Sequence, residues 1–164
     1  MGKKTRMLAF DSSSTITGVA YFENGKLVKS FVIDKSREKD TLIRVEGMCI
    51  ALAQTLKKFT PDIVVIERPP YCNSPDTLIM LSEIVGCVKG WAICNYADYV
   101  EYAVNSWRKL VAKEGETIPT KRNEAKAWDM ARCKAIYNVV PADDNEADAI
   151  LIGHARIKEF EKCA

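Results

Sequence analysis

Apolar residues along this chain fall into clusters of two different periods. Met7-Leu8-Ala9-Phe10, entered from Arg6, reads as a short strand running into Asp11, and further strand patterns cover about Thr17 to Phe22 and Leu27 to Ile33. Between the last two stands Asn24-Gly25, a two-residue hairpin signal, because both central positions of that turn need positive φ. Three strands joined so tightly make an antiparallel meander rather than a βαβ unit. From Thr41 to Lys58 the period changes: Leu42, Val45, Cys49, Leu52, Ala53 and Leu56 recur at helical spacing until Pro61. Ile63-Val64-Val65-Ile66 is continuously apolar, the pattern of a strand buried on both faces. It ends in Glu67 and a proline-stiffened Arg68-Pro69-Pro70-Tyr71 loop. The rest predicts a helix over Pro75 to about Ile93, a strand over Tyr99 to Val104, and a helix opening at Ser106. A loop follows over Lys113 to Pro119, then helices from about Arg122 to Tyr137 and Asp144 to about Lys162. With no repeat and no Pro/Gly-rich linker, this order predicts one α/β domain over residues 1–164, built on a mixed five-stranded sheet.

Composition limits the class. A chain of 164 residues, 48% hydrophobic and 28% charged, is an ordinary globular one that can bury a core. No apolar run reaches the ~18–20 residues of a membrane span. The basic N-terminus also lacks the longer apolar region and cleavage site of a signal peptide. These features predict a cytoplasmic protein with no membrane partner. The six cysteines include no Cys-x-x-Cys pair and have only His154 to join them, which argues against zinc and for reduced, non-catalytic thiols. The net charge of +2 does not by itself mark a nucleic-acid binder. Its distribution adds more: Ser106 to Lys134 holds eight basic residues against four acidic, whereas Pro141 to Asp148 holds four carboxylates and no base. A basic shoulder beside an acidic pocket suits an enzyme that grips phosphates and holds metal ions. Two solvated helix faces of opposite sign would read the same way.

Three carboxylate positions stand out. Asp11 ends an apolar strand and precedes three serines; it either caps that turn or ligates a metal. Glu67 ends the most apolar strand, where an uncompensated charge costs several kcal/mol or more. Arg68 is a possible partner, but adjacent strand residues point to opposite faces. Asp143-Asp144-Asn145-Glu146-Ala147-Asp148 opens the last helix, where acidic residues already complement the macrodipole. Asp144 and Asp148 are nonetheless spaced i, i+4, and Asn145 and Asp148 i, i+3, so either pair puts two oxygen donors on one face. Carboxylates at two strand ends and one helix start make a hard-oxygen site for Mg²⁺ or Mn²⁺, and phosphodiester hydrolysis uses two such ions.

Leu8-Ala9-Phe10-Asp11-x-Ser13-x-x-x-Thr17-Gly18, Val64-Val65-Ile66-Glu67-Arg68-Pro69 and Asn145-Glu146-Ala147-Asp148-Ala149 together resemble the RuvC-like Holliday junction resolvases, small phage and bacterial versions included. The resemblance runs from about residue 6 to 160. It implies a ribonuclease H-like fold, with three antiparallel strands followed by two parallel ones and helices on the flanks. It also implies a homodimer acting on four-way DNA junctions, with Asp11, Glu67 and Asp148 as metal carboxylates. The family often has an acid or histidine three positions before the last aspartate; here Asn145 stands there, leaving Asn145 and Asp144 as alternatives for the fourth ligand. Tyr71 is the nearest counterpart of the family's base-stacking aromatic, at an unexpected offset from Glu67. Arg68, Arg108, Lys109, Lys121, Arg122 and Lys126 are candidate DNA contacts, whereas Trp107 and Trp128 are expected in the core and His154 half-buried on its helix.

Two rival readings remain at this stage. One is a junction-binding module of the same fold that does not cut, which Asn145 favours. The other is an actin-like sugar-kinase fragment, suggested by Asp11-Ser12-Ser13-Ser14-Thr15 with Thr17-Gly18, although 164 residues leave no room for a second large domain. The stripe Leu78, Leu81, Ile84, Val85 and Val88 suits either a twofold dimer interface or packing on the sheet.

Overall fold

The structure, a computed structural model, describes residues 5–69, 71 and 74–163, so Pro70 of the loop after Glu67 and Cys72 lie outside the described residues, as does the side chain of Cys163. Five strands form one sheet in the order β3-β2-β1-β4-β5. They are β1 (Arg6–Asp11), β2 (Ile16–Glu23), β3 (Lys26–Asp34), β4 (Ile63–Glu67) and β5 (Asp98–Tyr102). The β1-β2 and β2-β3 pairs are antiparallel, and β1-β4 and β4-β5 are parallel, as the sequence pattern predicts. The hairpin turn takes the conformation its dipeptide requires, with φ of 50° at Asn24 and 75° at Gly25.

Alternation along the central strands sorts the core into two halves. Leu8, Phe10, Val64 and Ile66 face α1 (Thr41–Phe59) and α2 (Pro75–Cys94). Met7, Ala9, Ile63 and Val65 face the layer of α3 (Val104–Val111), α4 (Arg122–Tyr137) and α5 (Asp144–Cys163). Continuing the same period of two puts Asp11 and Glu67 on the α5 side, at the open ends of neighbouring parallel strands. The predicted elements recur with one correction. β5 stops at Tyr102 and α3 opens at Val104, two residues before the expected Ser106: Ala103, still extended, is the cap residue, and its carbonyl accepts from Ser106 N and Trp107 N at 2.9 and 3.3 Å.

α5 crosses the sheet closely, through Ala147, Ala149, Ile150, Leu151 and Ile152, all fully buried. Two glycines permit that approach: a Cβ on Gly18 would lie 1.8 Å from the Asn145 carbonyl oxygen, and one on Gly153 would lie 2.3 Å from the Phe22 ring. Backbone stands opposite Gly18, so the clash has no flexible side chain to absorb it. Gly18→Ala is therefore expected to cost about 2–4 kcal/mol of stability and to push the first turn of α5 off the sheet. A denaturant melt checks this, and a loss below about 0.5 kcal/mol would show that the approach is not tight.

α2 corrects one expectation. It is long and apolar enough, with a mean hydropathy of 1.5, to meet the length and composition of a membrane span. Ile84, Val85, Val88 and Ala92 of that helix are buried, while Leu78, Ile79 and Ile93 remain exposed. The core therefore takes most of the predicted stripe, through Ile84, Val85 and Val88, while Leu78 of that stripe stays exposed along with Ile79 and Ile93.

Candidate active site

β1 delivers Asp11 and β4 delivers Glu67, while the first two turns of α5 carry Asp144, Asn145 and Asp148 to the same end of the sheet. All five line one cleft of about 900 Å³. The turn after β1 is closed by its own side chains: Ser13 Oγ accepts from Ile16 N at 3.0 Å and donates to Ile16 O at 2.7 Å, and Thr17 Oγ1 donates to Ser13 O at 2.9 Å. The hydrogen bonds that hold this turn thus come from Ser13 and Thr17. In the acidic run before the last helix, two members do hold the helix start. Asp143 Oδ1 accepts from Glu146 N at 2.9 Å and Glu146 Oε2 from Ala142 N at 2.7 Å, which satisfies backbone donors at the helix start. Asp144 and Asp148 are left facing the cleft.

The carboxylates share one cleft, and Asp11, Glu67 and Asp148 are largely withdrawn from water. Burial, with the Glu67 and Asp144 charges added, pushes Asp11 up to about 8. Burial, then Asp11 and Asp129, push Asp148 up to about 10. Glu67 is also raised by burial, against the opposing hydrogen bond from the Trp107 indole, whose Nε1 donates to Oε2 at 2.7 Å. In each of these groups burial outweighs the positive charge that Arg108 brings.

Arg108 brings that charge on its guanidinium. Its Nε and Nη2 donate to the two oxygens of fully buried Asp129 at 3.2 and 2.6 Å, and Nη2 lies 3.8 Å from Asp148 Oδ2. Burial raises the Asp129 carboxyl, and Arg108 opposes that shift. Asp144 is ion-paired with Lys126. Lys109, Arg122 and Lys126 join Arg108 on the basic wall of the cleft, and Leu81, Ile118 and Pro119 add an apolar margin.

Other expected contacts fall elsewhere. Arg68 diverges from Glu67, as strand geometry requires, and reaches Glu101 at 3.4 Å outside the cleft. Lys121 is exposed beside Glu124, and Tyr71 is 91% exposed in the loop after β4. Trp107 is core, as expected, but its indole nitrogen also holds Glu67. Trp128 is half-buried, with Nε1 donating to Glu116 at 2.8 Å. His154 is half-buried against Tyr137, with Nδ1 2.8 Å from the phenol oxygen, and burial takes its imidazole down to about 4, which keeps it neutral. Asp129 was invisible to motif reading, although Ala125, Asp129 and Cys133 recur at i, i+4 on the buried face of α4.

Whether the site fits divalent ions can be judged from its donors. They are hard carboxylate oxygens with an amide at Asn145, which suits Mg²⁺ or Mn²⁺. Asp148 Oδ1 is buried with no hydrogen-bond partner, as an oxygen awaiting a cation is. Among the described residues no three Asp, Glu, His or Cys side chains stand close enough together to enclose an ion. Trp107, Arg108 and Lys126 engage Glu67, Asp148 and Asp144 instead.

In sequence the chain matches no family model and no curated protein. In structure it is similar to RuvC of Thermus thermophilus in complex with a Holliday junction substrate, with a TM-score of 0.75 at 15% identity over 96% of both chains. A second Thermus thermophilus RuvC structure gives 0.74 at 17% identity over 97% of each chain. The yeast mitochondrial Holliday junction resolvase Ydc2 gives 0.63 at 16% identity, over 97% of this chain and 81% of that one. At such identities the likeness concerns the fold, and the chain has the ribonuclease H-like fold of the RuvC-type Holliday junction resolvases.

Proposed function

We propose that this chain is a divalent-metal-dependent endodeoxyribonuclease that nicks four-way DNA junctions, in recombination, repair or phage DNA processing in the cytoplasm. The observation that carries the reading is the convergence of Asp11, Glu67 and Asp148 in one cleft beside Arg108, Lys109, Arg122 and Lys126. Asp11, Glu67 and Asp148 would hold the ions, with Asp144 or the Asn145 amide completing the set. Bound Mg²⁺ or Mn²⁺ supplies an acidified attacking water and charge stabilisation at the leaving oxygen. The chain's own part is to fix those oxygens and to hold DNA. Trp107 fixes the Glu67 carboxylate, and the basic wall meets phosphates. Tyr71, 91% exposed in the loop after β4, would stack on an unpaired base, and Arg68 and Lys121, outside the cleft, would be outer phosphate contacts.

Junction cutting on opposed strands needs two sites, and the exposed Leu78, Ile79 and Ile93 of α2 support a homodimer built there. Ile79→Glu is expected to reduce the sedimenting mass from twice 18.4 kDa to 18.4 kDa and to turn paired nicks into single ones. A wild-type chain that sediments as a monomer at micromolar concentration, or that partitions into lipid vesicles, would remove the dimer.

A labelled four-way junction, matched duplex, flap and RNA–DNA hybrid, each with Mg²⁺, Mn²⁺ or EDTA, test the function directly. The expected result is metal-dependent, symmetric nicking of the junction. Tight junction binding without cleavage in either metal would make the chain a binding module, with Asn145 the residue responsible. Preference for the hybrid or flap would keep the nuclease and discard the junction.

A further inference from the structure

Arg108 is held from three sides. Its guanidinium forks onto both Asp129 oxygens at 3.2 and 2.6 Å, lies 4.7 Å from the centre of the Trp107 ring, and stops 3.8 Å short of Asp148 Oδ2. Asp129 has no exposure at all, and the Arg108 side chain only 15%. A buried pair of this kind roughly breaks even against apolar packing, so fold stability alone does not explain an aspartate in the middle of the buried stripe of α4. The pair's position does. Without Asp129, the guanidinium would have Asp148 as its nearest carboxylate, and Asp148 still has a buried oxygen, Oδ1, with no partner.

We propose that Asp129 is a positioning residue: it neutralises and tethers Arg108, keeps the guanidinium off Asp148, and so leaves the carboxylate site open to a divalent cation. Asp129 is assigned a place behind the ligands: both its oxygens accept from Arg108, and its carboxyl also meets that of Asp148. The inference rests on the metal-site reading above. It adds that the site has a built-in competitor for the ion and that Asp129 restrains it. Partners one step behind metal ligands typically govern affinity by about 10-fold to 100-fold.

The test uses Mn²⁺ alone, titrated into the full chain without DNA and followed by the electron paramagnetic resonance of free Mn²⁺, with circular dichroism reporting fold. Asp129→Asn is expected to bind Mn²⁺ at least about 10-fold more weakly than wild type. The double variant Asp129→Asn/Arg108→Gln, in which two amides replace the ion pair, is expected to return to within about 3-fold of wild type. An Asp129→Asn protein that binds like wild type overturns the proposal, as does a double variant that stays as weak as the single. Should Asp129→Asn fail to fold, the double variant decides alone, its near-wild-type affinity supporting the proposal and a 10-fold or greater loss, about 1.4 kcal/mol, overturning it. Wild type that binds no Mn²⁺ removes the metal-site reading and this inference together, whereas wild-type binding with an unaffected Asp129→Asn removes only the inference.

Discussion

Asp148→Asn is expected to lower junction cleavage by about 10³-fold while raising the melting temperature of the metal-free protein at pH 8 by about 10 °C. The two effects share one cause. Asp148 lies among Asp11, Asp129 and the start of α5, buried enough that its carboxyl is pushed up to about 10. The metal-free fold therefore holds a proton there that the unfolded chain would release at pH 8, and holding it costs stability. Protonating either Asp11 or Asp148 relieves the other, so the cost that Asp148 adds is about 3 kcal/mol. Asparagine supplies a neutral group of the same shape without the proton and recovers that cost. It also withdraws the charge a divalent ion needs, a contribution of several kcal/mol to transition-state stabilisation. A structural aspartate would behave oppositely, losing stability and activity together. Cleavage rates, scanning calorimetry and a junction gel shift on one preparation separate the cases. Unchanged binding, lost cutting and a higher melting temperature identify Asp148 as a residue kept for function. Undiminished cutting excludes Asp148 from the metal set.

That opposition between local stability and function is also what made part of the site legible from sequence. Glu67 stands out because four apolar residues precede it in a strand buried on both faces, so a carboxylate at the next position demands compensation. Asp11 stands out for the same reason at the end of β1, and period-two alternation then puts both on one face of the sheet. Gly18 carries its information differently: its lack of a side chain records the approach of the Asn145 carbonyl, a contact between residues far apart in the chain that no local pattern reveals. Arg108 was legible as a base but not in its role. Its partner Asp129 lies on another helix, and a lone aspartate in a helix of mixed polarity looks like a solvated one until the fold turns that face inward. The acidic run at 143–148 divides along similar lines. Asp143 and Glu146 hold the helix start locally, as macrodipole and capping arguments allow, while the orientation of Asp144 and Asp148 depends on where α5 crosses β1 and β2. The exposed side of α2 shows the limit of hydropathy, which marks apolar residues without saying what covers them.

Without metal, the protein is expected to be more stable at pH 5 than at pH 8, and millimolar Mg²⁺ or Mn²⁺ is expected to reverse much of that loss. The direction follows from the carboxyl groups. Asp11 is raised to about 8 and Asp148 to about 10, while Glu67 and Asp129 are raised as well, all led by burial. A folded-state value above the unfolded one means that the fold binds more protons than the unfolded chain. Stability from these groups is therefore complete below about pH 4, where both states are protonated. It falls as pH rises from there through the folded values near 8 to 10. One retained proton costs about 1.4 kcal/mol per pH unit, or about 4 kcal/mol between pH 5 and 8, a large share of the 5–15 kcal/mol that ordinarily holds a domain together. His154 works against this trend: its imidazole, lowered to about 4, stays neutral in the folded protein while the unfolded chain takes up a proton below about pH 6.5, which costs the fold about 2 kcal/mol at pH 5 and leaves the carboxyl contribution the larger. A divalent cation replaces the proton as the compensating charge and binds best where the carboxylates are ionised. The gain on adding it should therefore be small at pH 5 and several-fold larger in kcal/mol at pH 8. Thermal melts at the two pH values, with EDTA and with Mn²⁺, measure all four corners. A metal-free protein that is more stable at pH 8 would mean that the carboxylates are already compensated within the chain, with Arg108 and Lys126 as the groups that do it. The cleft would then need no ion, and the case for metal-dependent cutting would pass to the binding module.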